Sequence, residues 1–217
     1  MTQVTRAREL SPPERVQPFT DAVVAIALTL LILPLMDSVG ELADHDGTTA
    51  QWLAEEQFAL LGFGLSFVLI AVFWVHHHKI FRSVKRVDPG LLWLTVAWMF
   101  TIVVMPVATS LSTQMESDWA QPLVYIGTLF ATSLMLLLTR TYLRSHPDLH
   151  DMAEGEAVMG IRASGIVSGL FLAALVLAVA IPGAGNWPLL LMLLSEALQR
   201  LDRARIRRAS AQEDLKN

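Results

Sequence analysis

Five runs of apolar residues take up most of this chain, at residues 19–36, 58–75, 91–111, 123–138 and 161–181, with a shorter sixth at 188–198. A bilayer's hydrocarbon layer is about 30 Å thick and is crossed by about 20 apolar residues in a helix, so runs of this length leave few alternatives to membrane spans. A chain with 53% apolar residues, 17% charged residues and a mean hydropathy of +0.49 has lipid as its solvent. Little of the 217 residues is left over for a separate soluble domain. The expectation is an all-α membrane protein of six spans: a flexible lead-in at 1–14, one membrane domain at 15–208, and a polar tail at 209–217.

The sixth run is counted as a span because of where the charges fall. All 16 Lys and Arg residues lie on one side if the chain crosses six times. They precede the first run (Arg6, Arg8, Arg15), follow the second (Lys79, Arg82, Lys85, Arg86), flank the fourth connection (Arg140, Arg144, Arg162), and crowd the tail from Arg200 to Lys216. The opposite connections carry only acids, among them Asp37, Glu41, Glu55, Glu56, Glu116 and Asp118. Short cytoplasmic loops accumulate Lys and Arg, which puts both ends in the cytoplasm of a cell whose inner membrane holds the protein. A cleaved signal peptide is not expected, because Glu9 and Glu14 precede the first run and no small-residue cleavage pattern follows it.

With no cysteine, disulfides, thiolate metal sites and cysteine nucleophiles are excluded. No phosphate loop, nucleotide fingerprint, internal repeat or nucleophile–base set is present, so neither an enzyme, a cofactor nor a nucleic-acid partner is expected. Residues 37–51 read as an acidic loop, Pro106 as a bend in the third span, and residues 182–185 as a tight turn before the sixth. Polar groups inside spans cost several kcal/mol unless paired or wetted, so the few that remain carry the functional information. They are Asp21 in the first span, His76, His77 and His78 at the end of the second, and Glu196 in the last. Glu196 reads as an internal helix pair with Arg200, four residues on. Consecutive histidines on a helix point 100° apart and do not converge on one metal ion.

The first run is the most patterned. At 100° per residue Ala22, Ile26, Thr29 and Leu33 form one narrow stripe, while Asp21, Ala25 and Leu28 fall on another side. Such a stripe is either ordinary helix packing or, with copies of the helix around an axis, the wall of a narrow conduit.

The segment Arg15-x-x-x-Phe19-Thr20-Asp21-Ala22, leading into an apolar helix, resembles the Arg-x-x-x-Phe-Ser-Asp signature of the transmembrane protein 175 family of potassium channels, and its prokaryotic branch in particular. Trp74-x-x-His77-x-x-Ile80-Phe81 is similar to the family's second motif. Thr20 stands where the family usually has Ser, and keeps the hydroxyl. The resemblance implies a homotetramer in the bilayer that conducts potassium above sodium, with the first helix of each subunit lining a central pore. No re-entrant carbonyl filter is involved. The family's pore-facing positions fall on Ile26, Thr29 and Leu33, which makes Ile26 the expected gate, Thr29 the selectivity layer and Leu33 a second apolar constriction. The same resemblance implies a polar network of Arg15, Asp21, Trp74 and His77 beside the pore helix, with Phe19 and Thr20 in its motif. His76 and His78 receive no role. The competing reading is a secondary transporter of a small ion or solute, whose marks are inverted repeats and broken helices. Neither is visible in the sequence.

Overall fold

In a computed structural model the protein is described over residues 13–44, 47–115, 118–181, 185–195 and 199. The helices are α1 (Pro13–Leu30), α2 (Leu33–Ala43), α3 (Thr49–Glu55), α4 (Gln57–Phe81), α5 (Pro89–Gln114), α6 (Ala120–Ser145) and α7 (Glu154–Ala180), with 3₁₀ turns at Pro147–Leu149 and Trp187–Leu193. Among the described residues five helical segments are long and apolar enough to cross a membrane, α1 and α2 counting as one over Glu14–Ala43.

Local sequence explains most of the boundaries. Pro13 opens α1, where proline's fixed φ suits a first turn whose N–H groups have no helical partner. Thr48 and Gln51 form a reciprocal capping box at the start of α3. Asp88 accepts from the Leu91 amide at 2.9 Å and so caps α5, with Pro89 at its first position. α6 lies broadly against both α5 and α7, and α1 packs on α5 and α4. The seam between them buries Ile70, Trp98, Ile102, Met105, Ile126 and Leu129, with Ala108 and Ala174 where helices approach closely. At the end carrying the basic loops, Lys85 N donates to Leu149 O at 2.8 Å and Asp151 N to Ser83 O at 3.0 Å, which stitches the two connections together.

Three expectations are corrected. The first span is interrupted: residues 31 and 32 form a turn between α1 and α2. Pro34 contributes, since it has no N–H to give the Leu30 carbonyl and its ring crowds the preceding turn. The Ile32 amide turns back to Thr29 O at 3.4 Å, and Met36 N restarts the ladder on Ile32 O at 3.1 Å. By contrast α5 continues unbroken past Pro106. The acidic connection at 37–51 is mostly helical, because α2 runs to Ala43 and the capping box starts α3 at Thr49. Finally, the sixth run begins as a seven-residue 3₁₀ helix, Trp187–Leu193, rather than as an α-helical span. It passes into α-helix at residues 194 and 195, the last described before 199. Glu196, Arg200 and the tail lie outside the described residues.

Candidate functional site

The first segment presents two opposed faces. Thr20, Val24, Ala27 and Leu31 are buried against the bundle, at 0, 2, 1 and 3% exposure. Ile26 and Leu33 on the other face are 59 and 49% exposed, with Phe19, Ala22, Thr29 and Met36 also open. Among the described residues the stripe of Ile26, Thr29 and Leu33 therefore has no partner within its own subunit. In a bilayer such a face meets lipid or another protein chain. Lipid offers nothing to a hydroxyl, and Thr29 satisfies its proton internally by donating to Ile26 O at 2.8 Å, as threonines in membrane helices often do. Its oxygen lone pairs remain directed away from that bond.

On the flank between these faces, Asp21 accepts a hydrogen bond from the Trp74 indole at 2.7 Å. This bond crosses from α1 to α4 and fixes the rotation of the first helix about its axis. The other residues of the expected network are not gathered there. Arg15 is exposed and, among the described residues, makes no ion pair with Asp21. Thr20 donates to Val16 O at 2.9 Å, within its own helix. Phe19 lies on the exposed face with Ile26. His77 is 2% exposed and stacks on Phe81 at 4.4 Å and on Trp98 at 4.1 Å between ring centroids, so its place is the α4–α5 seam. Its Nε2 has no hydrogen-bond partner there, nor has Trp98 Nε1. His78 packs its ring near Trp74, and His76 faces a cavity at the basic-loop end. The three histidines thus diverge into three environments.

Two polar groups that matter were not singled out from the sequence. Asp88 is 1% exposed, and besides capping α5 it accepts from the Tyr142 hydroxyl at 2.7 Å, joining α5 to α6. The Asp-Pro-Gly at the head of an apolar run is the signal that identifies it as a cap. In the other half of the bundle Thr109 donates to Ser66 at 2.9 Å, and Ser66 shares a 2.9 Å hydrogen bond with Tyr125, linking α4, α5 and α6. Small hydroxyls in apolar helices are the expected glue between spans, but nothing in the sequence says which of them meet.

A multi-pass α-helical membrane protein is thereby defined, with a broken first segment that holds the bundle by one flank and leaves an apolar and hydroxyl stripe unpartnered. The sequence profile of the family described as "Endosomal/lysosomal potassium channel TMEM175" matches residues 15–106, a stretch containing both motifs and the stripe. Over that stretch the chain is similar to this family, whose description is that of a potassium channel. A protein described as a potassium channel from Streptomyces collinus is 37% identical over 101 residues, covering 45% of this chain and 46% of the relative. Another so described, from Chryseobacterium sp., is 30% identical over 95 residues, covering 44% and 46%. These matches span about half the length of each relative. The crystal structure of a lysosomal potassium-selective channel TMEM175 homologue from Chamaesiphon minutus has the same fold, with a TM-score of 0.65 at 22% identity over 89% of this chain and 97% of that one.

Proposed function

We propose that this protein is the subunit of a homotetrameric potassium channel in a prokaryotic inner membrane, with both chain ends in the cytoplasm. The observation that carries the reading is the exposed stripe of Ile26, Thr29 and Leu33, set opposite a buried face and beside the Asp21–Trp74 bond. One subunit offers a single copy of that stripe and cannot surround a pathway with it. Four copies around an axis can, and closed cyclic symmetry is the usual arrangement of identical subunits. The curated relatives described as potassium channels support the choice of ion.

Within such a pore the three positions differ in chemistry. Four Ile26 side chains converging on the axis form a constriction both narrow and apolar, which excludes ions by dewetting. Thr29 adds the one hydroxyl layer on this face, and its free lone pairs replace part of the water shell of a partly dehydrated cation. Leu33, beyond the turn at residues 31 and 32, makes a second apolar ring. Leu30 lacks its helical donor at Pro34, so the backbone polarity of the break lies next to the Thr29 layer.

Reversal potentials in planar bilayers under opposed potassium and sodium gradients test the reading. The expected result is current without added co-substrate that reverses near the potassium equilibrium potential. One observation favours a second reading: a broken membrane helix is also the mark of a secondary transporter. Flux that saturates, or that needs a coupled solute, supports that reading and removes the channel.

A further inference from the structure

Where α4, α6 and α7 meet the basic loops they form a half-open cavity of about 860 Å³. Among the described residues its wall holds three permanent cations, Lys79, Arg82 and Arg140, together with His76, against one carboxylate, Glu156. The neighbouring cations are already paired: Arg144 with Glu154 at 2.8 Å and Lys85 with Asp151 at 3.3 Å. Among the described residues none of the three cavity cations lies within salt-bridge distance of a carboxylate. Arg140 is the most telling of them. It sits inside α6, and its Nε is buried with no hydrogen-bond partner. The residue lies near the basic-loop end of α6, where Glu156 is the carboxylate that attracts it, yet Nε is left without an acceptor. Across the cavity Gly160 of α7 lies directly beneath it, and a Cβ there would overlap Nη1 of Arg140. The glycine is the space that lets the guanidinium lie over α7 and face the opening.

We propose that this cavity is a binding site for a phosphate group, held by Arg140 and Arg82 through their planar donor forks and by Lys79 as a mobile point charge. Guanidinium geometry matches two phosphate oxygens at once, and lysine contributes charge without that directionality. The volume exceeds what a bare oxyanion needs and lies in the range of small-molecule sites, which leaves room for the group that carries the phosphate. Two sources supply this chemistry: the headgroup of an anionic phospholipid in the adjoining leaflet, and a soluble phosphate. Basic pockets between membrane helices recognise anionic headgroups by the same contacts. The inference concerns a binding site remote from the α1 stripe and does not rest on what the protein conducts.

The test uses the full chain and reads binding. Native mass spectrometry from detergent containing equal phosphatidylglycerol and phosphatidylcholine reports which lipid is retained, and thermal unfolding in phosphatidylcholine nanodiscs with added inorganic phosphate reports the soluble source. A lipid site predicts phosphatidylglycerol retained over phosphatidylcholine, with the preference lowered about tenfold by Arg140→Gln, by Gly160→Ala and by the Lys79→Gln/Arg82→Gln pair. Arg86→Gln, outside the cavity, leaves it unchanged. A soluble site predicts no lipid preference but a melting temperature raised by phosphate in the wild type and not in Arg140→Gln. Should Arg140→Gln not fold, Gly160→Ala and the double variant read the same outcomes. Neither lipid preference nor phosphate stabilisation, or a preference equal in every variant, overturns the proposal.

Discussion

The Trp74 indole donates to the Asp21 carboxylate at 2.7 Å, joining positions 53 residues apart on α1 and α4. This bond holds the first segment in one rotation, with Val24 and Ala27 inward and Ile26 and Thr29 outward. Asp21→Ala should lower stability by about 1–3 kcal/mol, because the indole N–H loses its acceptor in an apolar setting. Asp21→Asn keeps an acceptor oxygen and should cost less. Trp74→Phe combined with Asp21→Ala should cost less than the sum of the singles, since the bond is lost only once. Thermal unfolding in detergent of the four variants checks this. Additive losses would show that the two residues do not act through their bond.

Ile26 and Thr29 should separate conductance from selectivity. Ile26→Asn wets the constriction and should raise single-channel conductance severalfold at unchanged ion preference. Thr29→Val, which keeps shape but removes the hydroxyl, should lower the potassium-to-sodium permeability ratio about fivefold, the equivalent of one lost polar interaction of about 1 kcal/mol. Thr29→Ser should retain it. Bi-ionic reversal potentials measure both. Unchanged selectivity in Thr29→Val would assign Thr29's hydroxyl to its 2.8 Å bond with Ile26 O alone.

Pro34→Ala tests the break. Alanine supplies the N–H that the Leu30 carbonyl lacks, so α1 and α2 should fuse into one helix, with stability gained by about 1 kcal/mol or more. Amide hydrogen exchange over residues 30–36 should slow markedly. Exchange as fast as in the wild type would mean that packing around Leu31 and Leu35, both buried, holds the turn open without the proline.

Asp88 links a helix cap to a contact between helices, so its loss should be felt twice. Asp88→Ala should cost about 2 kcal/mol, from the missing cap on Leu91 N and the stranded Tyr142 hydroxyl, whereas Tyr142→Phe should cost about 1 kcal/mol. Gly90→Ala should destabilise as well, because a Cβ there meets the same hydroxyl. Chemical denaturation in mixed micelles would rank the three. A neutral Asp88→Ala would leave the cap and the interhelix bond without energetic weight.

Five spans were legible in the sequence because hydropathy over about 20 residues is a one-dimensional property that needs no knowledge of neighbours. The sixth was inferred from charge alternation over an 11-residue apolar run, which opens as the 3₁₀ helix Trp187–Leu193 and whose last residues lie outside the described ones. The helix breaks at residues 31 and 32, ahead of Pro34, whereas Pro106 lies in an unbroken helix. Proline's missing N–H is the same in both, so surrounding packing settles whether the helix stops.

By itself the sequence determined the lipid environment, five candidate spans and the stripe on the first helix, since each follows from composition or from the fixed 100° step of a helix. Only the tertiary structure decided that Asp21 meets Trp74 while His77 meets Trp98, that Asp88 holds Tyr142, and that Arg140 looks into a basic cavity. The physical reason is rotational. α4, α5 and α7 are apolar on every side, so nothing in their periodicity selects which face turns toward a neighbour. That choice is made by packing and by a few hydrogen bonds between residues far apart in the chain.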